Sequence, residues 1–363
     1  MKKNIISLGA LSLLAVLLAS CGGEGSDSIA PSGSAITTDD AAEVLRKSIN
    51  AEAVKENISL KLTESKKFSI AYSNATVYDD ESAGTDVTIS GSLTGNPSSS
   101  ELRVSNITSS DTAVVKGYAH IGGDFTYTEG SSDASSDGTE PSSSSTAYNS
   151  LDAYLYLADG KVCADMSDDE MNAALKEISA GIIDQYVESG KIPENSSNVV
   201  KGAISGYIDT YAKSYLTYDS SALPFYSTDQ TDEIVDDYVE KMNEHPDNYK
   251  VYKDGDSYTL YMDITTELLA EESSSESSSS STEETTDITL CQFALYFNES
   301  GFERIRYAVD ATTTTVTRDD DASSTETSTI TYNLVGAAEF GTDAPLECDA
   351  SEYKEFQLPS LGL

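Results

Sequence analysis

Few residues of this chain have the type and spacing to do chemistry, and Cys21 has the richest context. Its thiol is a nucleophile open to covalent modification. It closes the run Leu18-Ala19-Ser20-Cys21, directly behind the apolar stretch Ile5–Leu18, which itself follows Lys2-Lys3. A basic start, an apolar middle and small residues at the cut mark the leader of an exported precursor. Residues 1–20 therefore read as a signal peptide removed in front of Cys21. The apolar run is roughly 15 residues long, short of the ~20 that a spanning helix needs.

The other reactive types are sparse. The chain has two histidines, His120 and His245, far apart and outside any His-x-His or HExxH pattern, so no zinc site of the usual kind is expected. A Ser-His-Asp triad would have to recruit one of them, and no GxSxG elbow is present to serve it. The pair Ser351 and Lys354 has Ser-x-x-Lys spacing but lacks a Lys-Thr-Gly partner. Asp133 to Gly138 matches the start of a calcium loop, yet Ser144 stands where the bidentate glutamate belongs. Asp79-Asp80-Glu81 and Asp319-Asp320-Asp321 read as solvated turns, without the apolar pocket that raises an acid's pKa. Cys163, Cys291 and Cys348 lie in or beside apolar stretches, far apart in sequence; one disulfide among them is open, and spacing does not choose a pair.

Net charge is −40. Removing Lys2 and Lys3 with the leader makes the remainder more negative still. That field repels phosphate backbones and anionic headgroups, so nucleic acid is not an expected partner. Tyrosine is abundant, 22 against 8 Phe and no Trp, which suits half-buried strands. Tyr207, Tyr211 and Tyr215 are spaced to share one helix face.

The elements that must position these groups come from periodicity. Residues 22–36 are Gly/Ser-rich and read as a flexible tether. A helix is predicted over 39–55, with Thr37 or Thr38 as cap. From Ile58 to Tyr127 the period falls to two, as in a meander of half-buried antiparallel strands. Leu151–Val162 with Asp159-Gly160 predicts another hairpin. Helical stripes follow, the first behind a capping box at Ser167–Glu170, then Val199–Tyr215 and Asp229–Glu244. Hairpins then turn at Asp254-Gly255 and at Asn298–Gly301, and Thr312–Thr317 with Thr329–Val335 forms a last pair. Low-complexity loops are expected at 131–146, 271–286 and 318–328. The whole predicts an α+β body over 37–358, a curved antiparallel sheet packed against an N-terminal helix and a central helical segment. A division into two α+β domains near Ser131–Ser145 is the alternative.

With cysteine first after the cut, Leu18-Ala19-Ser20-Cys21 resembles the lipobox of bacterial lipoproteins. The resemblance implies a diacylglyceryl thioether on Cys21 and fatty acylation of the new amino terminus. The chain would then be a lipid-anchored protein on the extracytoplasmic face of the cell membrane. An N-terminal helix, a strand meander, a helical excursion and hairpins such as Leu290–Val309 together resemble the LolA/LppX-like superfamily over about Thr37–Phe356. That resemblance implies a half-barrel around a cavity for an apolar or amphiphilic ligand. No cofactor or metal and no enzymatic activity is implied. The alternative is a structural or interaction protein of the cell surface with no small-molecule ligand.

Overall fold

The computed structural model describes residues 29, 31–51, 57–78, 87–105, 116–133, 142–158, 160–188, 190, 192–217, 231–273, 282–319 and 324–357. The expected leader, residues 1–20, and Cys21 lie outside the described residues. In chain order the elements are β1 (Ser34–Ala35), α1 (Thr38–Ile49), β2 (Asn57–Tyr78), β3 (Val87–Asn96) and β4 (Glu101–Ser105). Next come β5 (Lys116–Asp133), β6 (Ser142–Ala158), β7 (Lys161–Asp165), α2 (Asp169–Glu188), α3 (Ser197–Tyr211) and β8 (Lys213–Thr217). Then follow α4 (Thr231–Glu244), β9 (Tyr249–Asp254), β10 (Ser257–Asp263) and α5 (Thr266–Ser273). The chain closes with β11 (Thr282–Asn298), β12 (Gly301–Asp319), β13 (Ser324–Gly341) and β14 (Lys354–Glu355).

The fourteen strands among the described residues belong to one curved sheet, in the order β1-β9-β10-β11-β12-β13-β2-β3-β5-β6-β7-β8-β14, with β4 pairing β2 and β5. The pairs are antiparallel except β14 with β8. This is the α+β class that the alternation of periods predicts. The principal core lies between one face of the sheet and the helices. Leu45 of α1 and Val235 and Met242 of α4 are buried there with Leu60, Leu260, Phe297 and Leu334 of the sheet. Thr37 caps α1 by accepting the Asp40 N–H at 3.2 Å. Arg46 near the end of α1 reaches Asp232 at 2.8 Å and Asp236 at 2.5 Å, tying α1 to α4. Among the described residues no helix is long and apolar enough to cross a membrane.

Several expectations change. The tether expected to run to residue 36 is already docked at Ile29, which is 2 % exposed and packs with Ala294, Ala308 and Val335. Its N–H donates to Gln292 Oε1 at 2.9 Å, and Ser34–Ala35 then pair with β9. Burial of one isoleucine and a few ladder bonds offsets the entropy of a Ser-rich stretch. Helix α1 stops at Ile49, short of residue 55. The cap of α2 is Asp168, which accepts the Glu170 and Met171 N–H groups at 3.0 Å; Ser167 instead donates its hydroxyl to Asp165 at 2.6 Å. Asp168→Ala is expected to cost about 1 kcal/mol in urea unfolding, the ordinary value of an N-cap. An unchanged midpoint would return the capping role to Ser167.

The low-complexity stretches were expected to be loops, yet strands run into them. Ser131 pairs with Ser142, Thr282 with Thr317, and Thr325 with Arg318. Strand β2 is likewise one ladder where the sequence suggests two shorter strands. Threonine favours the pleated conformation, and each strand finds its backbone partners in the next. Hydroxyls pair across the ladders: Thr286 with Thr313 at 3.2 Å, Thr312 with Thr331 at 3.1 Å, and Thr128 with Ser145 at 3.1 Å. Register places Thr285, Thr314, Thr329, Ser73 and Ser90 in one cross-strand row. A parallel row holds Thr312, Thr331, Ala71, Ser92, Thr128 and Ser145. Because side chains alternate, the same strands turn Tyr332, Ile70, Tyr72, Leu93 and Tyr127 to the opposite face, towards the core.

Candidate functional site

The described residues contain an open recess of about 240 Å³ at one end of the sheet. β11 ends in Asn298, the turn supplies Ser300, and β12 opens with Gly301 and Phe302. Phe340 and Gly341 come from the end of β13, with Thr342 beyond, and Ile58 from the start of β2. Gly301 has φ +138°, a conformation that glycine reaches without strain, and this brings the chain round into Phe302. The Phe302 and Phe340 rings stand 5.4 Å apart, tilted by 48°. Their neighbours at the mouth are polar. Asn298 accepts the Ser300 N–H and donates to Glu303, both at 2.6 Å. Lys47, at the end of α1, bridges Glu43 at 2.9 Å and Glu299 at 3.0 Å, and the two carboxylates hold its ammonium well above the usual lysine range. Chemically this is a small apolar slot with a polar lip. Small-molecule sites generally occupy ~300–1,000 Å³, so the slot suits one short apolar group.

A second concentration of polar atoms sits around Gly122 of β5. His120 Nε2 lies 2.6 Å from Asp152 Oδ1, and its ring stacks on Tyr154 with centroids 4.5 Å apart. A methyl on Gly122 would meet the Ser99 hydroxyl, Asp152 Oδ1 at 2.5 Å and His120 Nε2 at 2.7 Å, so the three groups converge on one point. A triad relay holds the carboxylate and the hydroxyl on opposite ring nitrogens. Here both approach the Nε2 side of His120. The geometry is that of a histidine stacked on Tyr154 and hydrogen-bonded to Asp152. Sequence alone brought His120 forward and left out Asp152 and Ser99, because only strand register puts them beside it.

The tyrosines divide between packing roles. Tyr72 and Tyr127 share a hydrogen bond of 3.1 Å on the core side of the sheet, and burial followed by that bond raises the Tyr127 phenol far above its ordinary value. On the other face Tyr118, Tyr156 and Tyr353 form a small cluster with the buried Cys163. Burial and the Glu101 carboxylate push Tyr118 up to about 12. The predicted three-tyrosine helix face is broken. Tyr207 and Tyr211 of α3 pack on Phe356, whereas Tyr215 lies on β8 with the Lys161 ammonium 4.1 Å from its ring centroid. Helix α3 ends at Tyr211 because the chain crosses there into a strand that pairs with β7.

The remaining candidates resolve simply. The Ser351 hydroxyl donates to Asp349 at 2.7 Å within a 3₁₀ turn, and Lys354 begins β14. Most of the Asp133–Gly138 segment and the clusters at 79–81 and 320–321 lie outside the described residues. Among the described residues no group of three or more His, Cys, Asp or Glu could hold a metal ion. No family model matches this chain, and no curated protein matches it. Sequence reading missed the recess itself. Its only local signals were Gly301 before Phe302 and Gly341 after Phe340, and neither reveals that the two rings meet.

Proposed function

We propose that this chain is a lipid-anchored protein of the extracytoplasmic membrane face, a non-enzymatic binder whose recess takes the apolar end of an amphiphilic ligand. The observation that carries the binding half is the Phe302–Phe340 slot, open to solvent and lipped by Asn298 and Ser300. The anchoring half rests on Leu18–Cys21 and its leader. The curved sheet with helices over one face is consistent with a half-barrel of the LolA/LppX-like kind. The size of the slot scales the ligand down from a whole lipid to one short chain or ring. Docking of Ile29 limits the reach from Cys21 to about 30 Å of extended chain, so the body stands close to the membrane.

A fluorescent short-chain fatty acid should bind the purified protein. Phe302→Ala removes one wall and should weaken binding about tenfold or more, the scale of losing one well-packed aromatic contact. Equal affinity in the variant, or no binding by the parent protein, defeats the ligand reading. One observation favours a second reading, an interaction protein of the cell surface. The two hydroxyl rows on the outer side of the long strands form a broad polar face, and a partner recognising it would be lost on replacing Thr314 and Thr329 with valine.

A further inference from the structure

We infer that Cys163 and Cys348 are a disulfide pair that fastens the C-terminal segment across the sheet. Cys163 lies in the middle of β7 and is fully buried. Its register partners are Tyr156 on β6 and Tyr215 on β8. Cys348 belongs to the irregular segment that leaves β13, and that segment brackets Cys163: Glu347 reaches Lys116 of β5, and Tyr353 packs on Tyr156, the register partner of Cys163, so the two thiols are neighbours. Both are thiols in this structure.

The surroundings fix that approach from both sides. Before Cys348, Asp343 pairs with Lys61 at 2.6 Å, the Ala344 carbonyl accepts from Arg103 at 3.3 Å, and Glu347 pairs with Lys116. After it, Asp349 caps the 3₁₀ turn and Tyr353 is buried against Tyr156. Two residues of β14 then pair with β8. The segment is thus registered on the sheet by contacts that do not involve sulfur, and these bring the two thiols together. Apart from Tyr353 they are mostly exposed polar contacts, individually weak. A covalent link at Cys348 is what would make this strap durable.

The third described cysteine does not compete. Cys291 is on β11, seven strands from β7 in the sheet order, or about 30 Å at normal strand spacing. Burial and the nearby Asp263 carboxylate push its thiol up to about 12, leaving it almost wholly protonated. Sequence spacing left the pairing open; the fold selects one pair.

The chemistry balances with an external disulfide as oxidant. The Cys348 thiolate attacks one sulfur of oxidised glutathione, forming a mixed disulfide and expelling one glutathione thiolate. The Cys163 thiolate then attacks the Cys348 sulfur, forming the Cys163–Cys348 bond and expelling the second. Two protein thiols are oxidised, one small disulfide is reduced, and the two protons pass to the departing thiolates. Burial and the adjacent Cys163 thiol push Cys348 up to about 11, so exchange in the folded protein is slow, and so is reduction once the bond has formed.

The test uses the full chain, produced in a reducing cytosol and equilibrated with oxidised and reduced glutathione. Peptide mass spectrometry after alkylation should find the Cys163 peptide joined to the Cys348 peptide, with Cys21 and Cys291 alkylated. The oxidised protein should melt about 5 °C above the reduced one, and Cys348→Ser should abolish that difference. A protein that keeps all four thiols at equilibrium, or a bond that includes Cys21 or Cys291, overturns the inference. The result does not depend on export or on the recess. Finding the same linked peptide in protein isolated from its native cell additionally supports an oxidising compartment.

Discussion

Replacing Cys21 with alanine is expected to abolish lipid attachment and remove the protein from the membrane fraction as a mature, acylated species. On the proposed lipoprotein reading no diacylglyceryl thioether forms without the Cys21 thiol, and a cleavage that requires that lipid would leave residues 1–20 in place. A single acyl chain gives only marginal membrane binding, about 10⁴ M⁻¹, whereas two or more give a stable anchor. The change should therefore be close to all-or-none. The unprocessed leader cannot substitute as a comfortable span, because its apolar run is shorter than the ~20 residues required. Metabolic labelling with a radioactive fatty acid, followed by detergent phase partition, gives the answer. The parent should carry label and enter the detergent phase, and the variant should do neither. An unlabelled parent, or a variant with label retained, ends the anchoring proposal.

The largest effect on folding is expected at Gly123. Its φ is +152°, and it sits at the bulge where the register between β5 and β6 shifts, between Gly123 and Phe125. A Cβ there would collide with the Asn96 carbonyl oxygen and the Pro97 Cα, which are backbone atoms at the turn after β3. No rotamer change relieves such a contact. Gly123→Ala combines an unfavourable backbone conformation with overpacking, for a loss of about 3–5 kcal/mol. Urea unfolding followed by circular dichroism measures it. Gly202→Ala is the matched contrast: nothing lies within 4 Å of a Cβ there, inside α3. It should stabilise by about 1 kcal/mol through helix propensity alone. Equal midpoints for the Gly123 variant and the parent would mean that the sheet does not close against that turn as described.

What was legible in the sequence follows from how far each signal reaches. Thr37 followed by acidic residues placed the start of α1, and Pro246 the end of α4, because capping and proline act within one turn of the chain. Asp159-Gly160 and Asp254-Gly255 marked hairpins, and both glycines have positive φ as those turns require. The Ser/Thr-rich stretches misled for a definite reason. A segment without large side chains cannot bury itself, yet it pairs well when neighbouring strands of the same composition complete its backbone bonds. Ser167 and Asp168 were equally good caps by type, and the choice between them depended on Asp165, which drew the serine hydroxyl away.

The α+β class and the sign of the net charge were legible in the chain alone, and the proposed leader and lipidation site rest on it alone, since each is written in neighbouring residues or in bulk composition. The folded chain was needed to show that β13 lies beside β2, that Phe302 faces Phe340, that Asp152 finds His120, and that Tyr353 packs on Tyr156 beside Cys163. A period-two pattern says which face of a strand is buried but not which strand lies next to it. That is settled by the simultaneous burial of apolar faces distributed along the whole chain, a condition that no local window of residues contains.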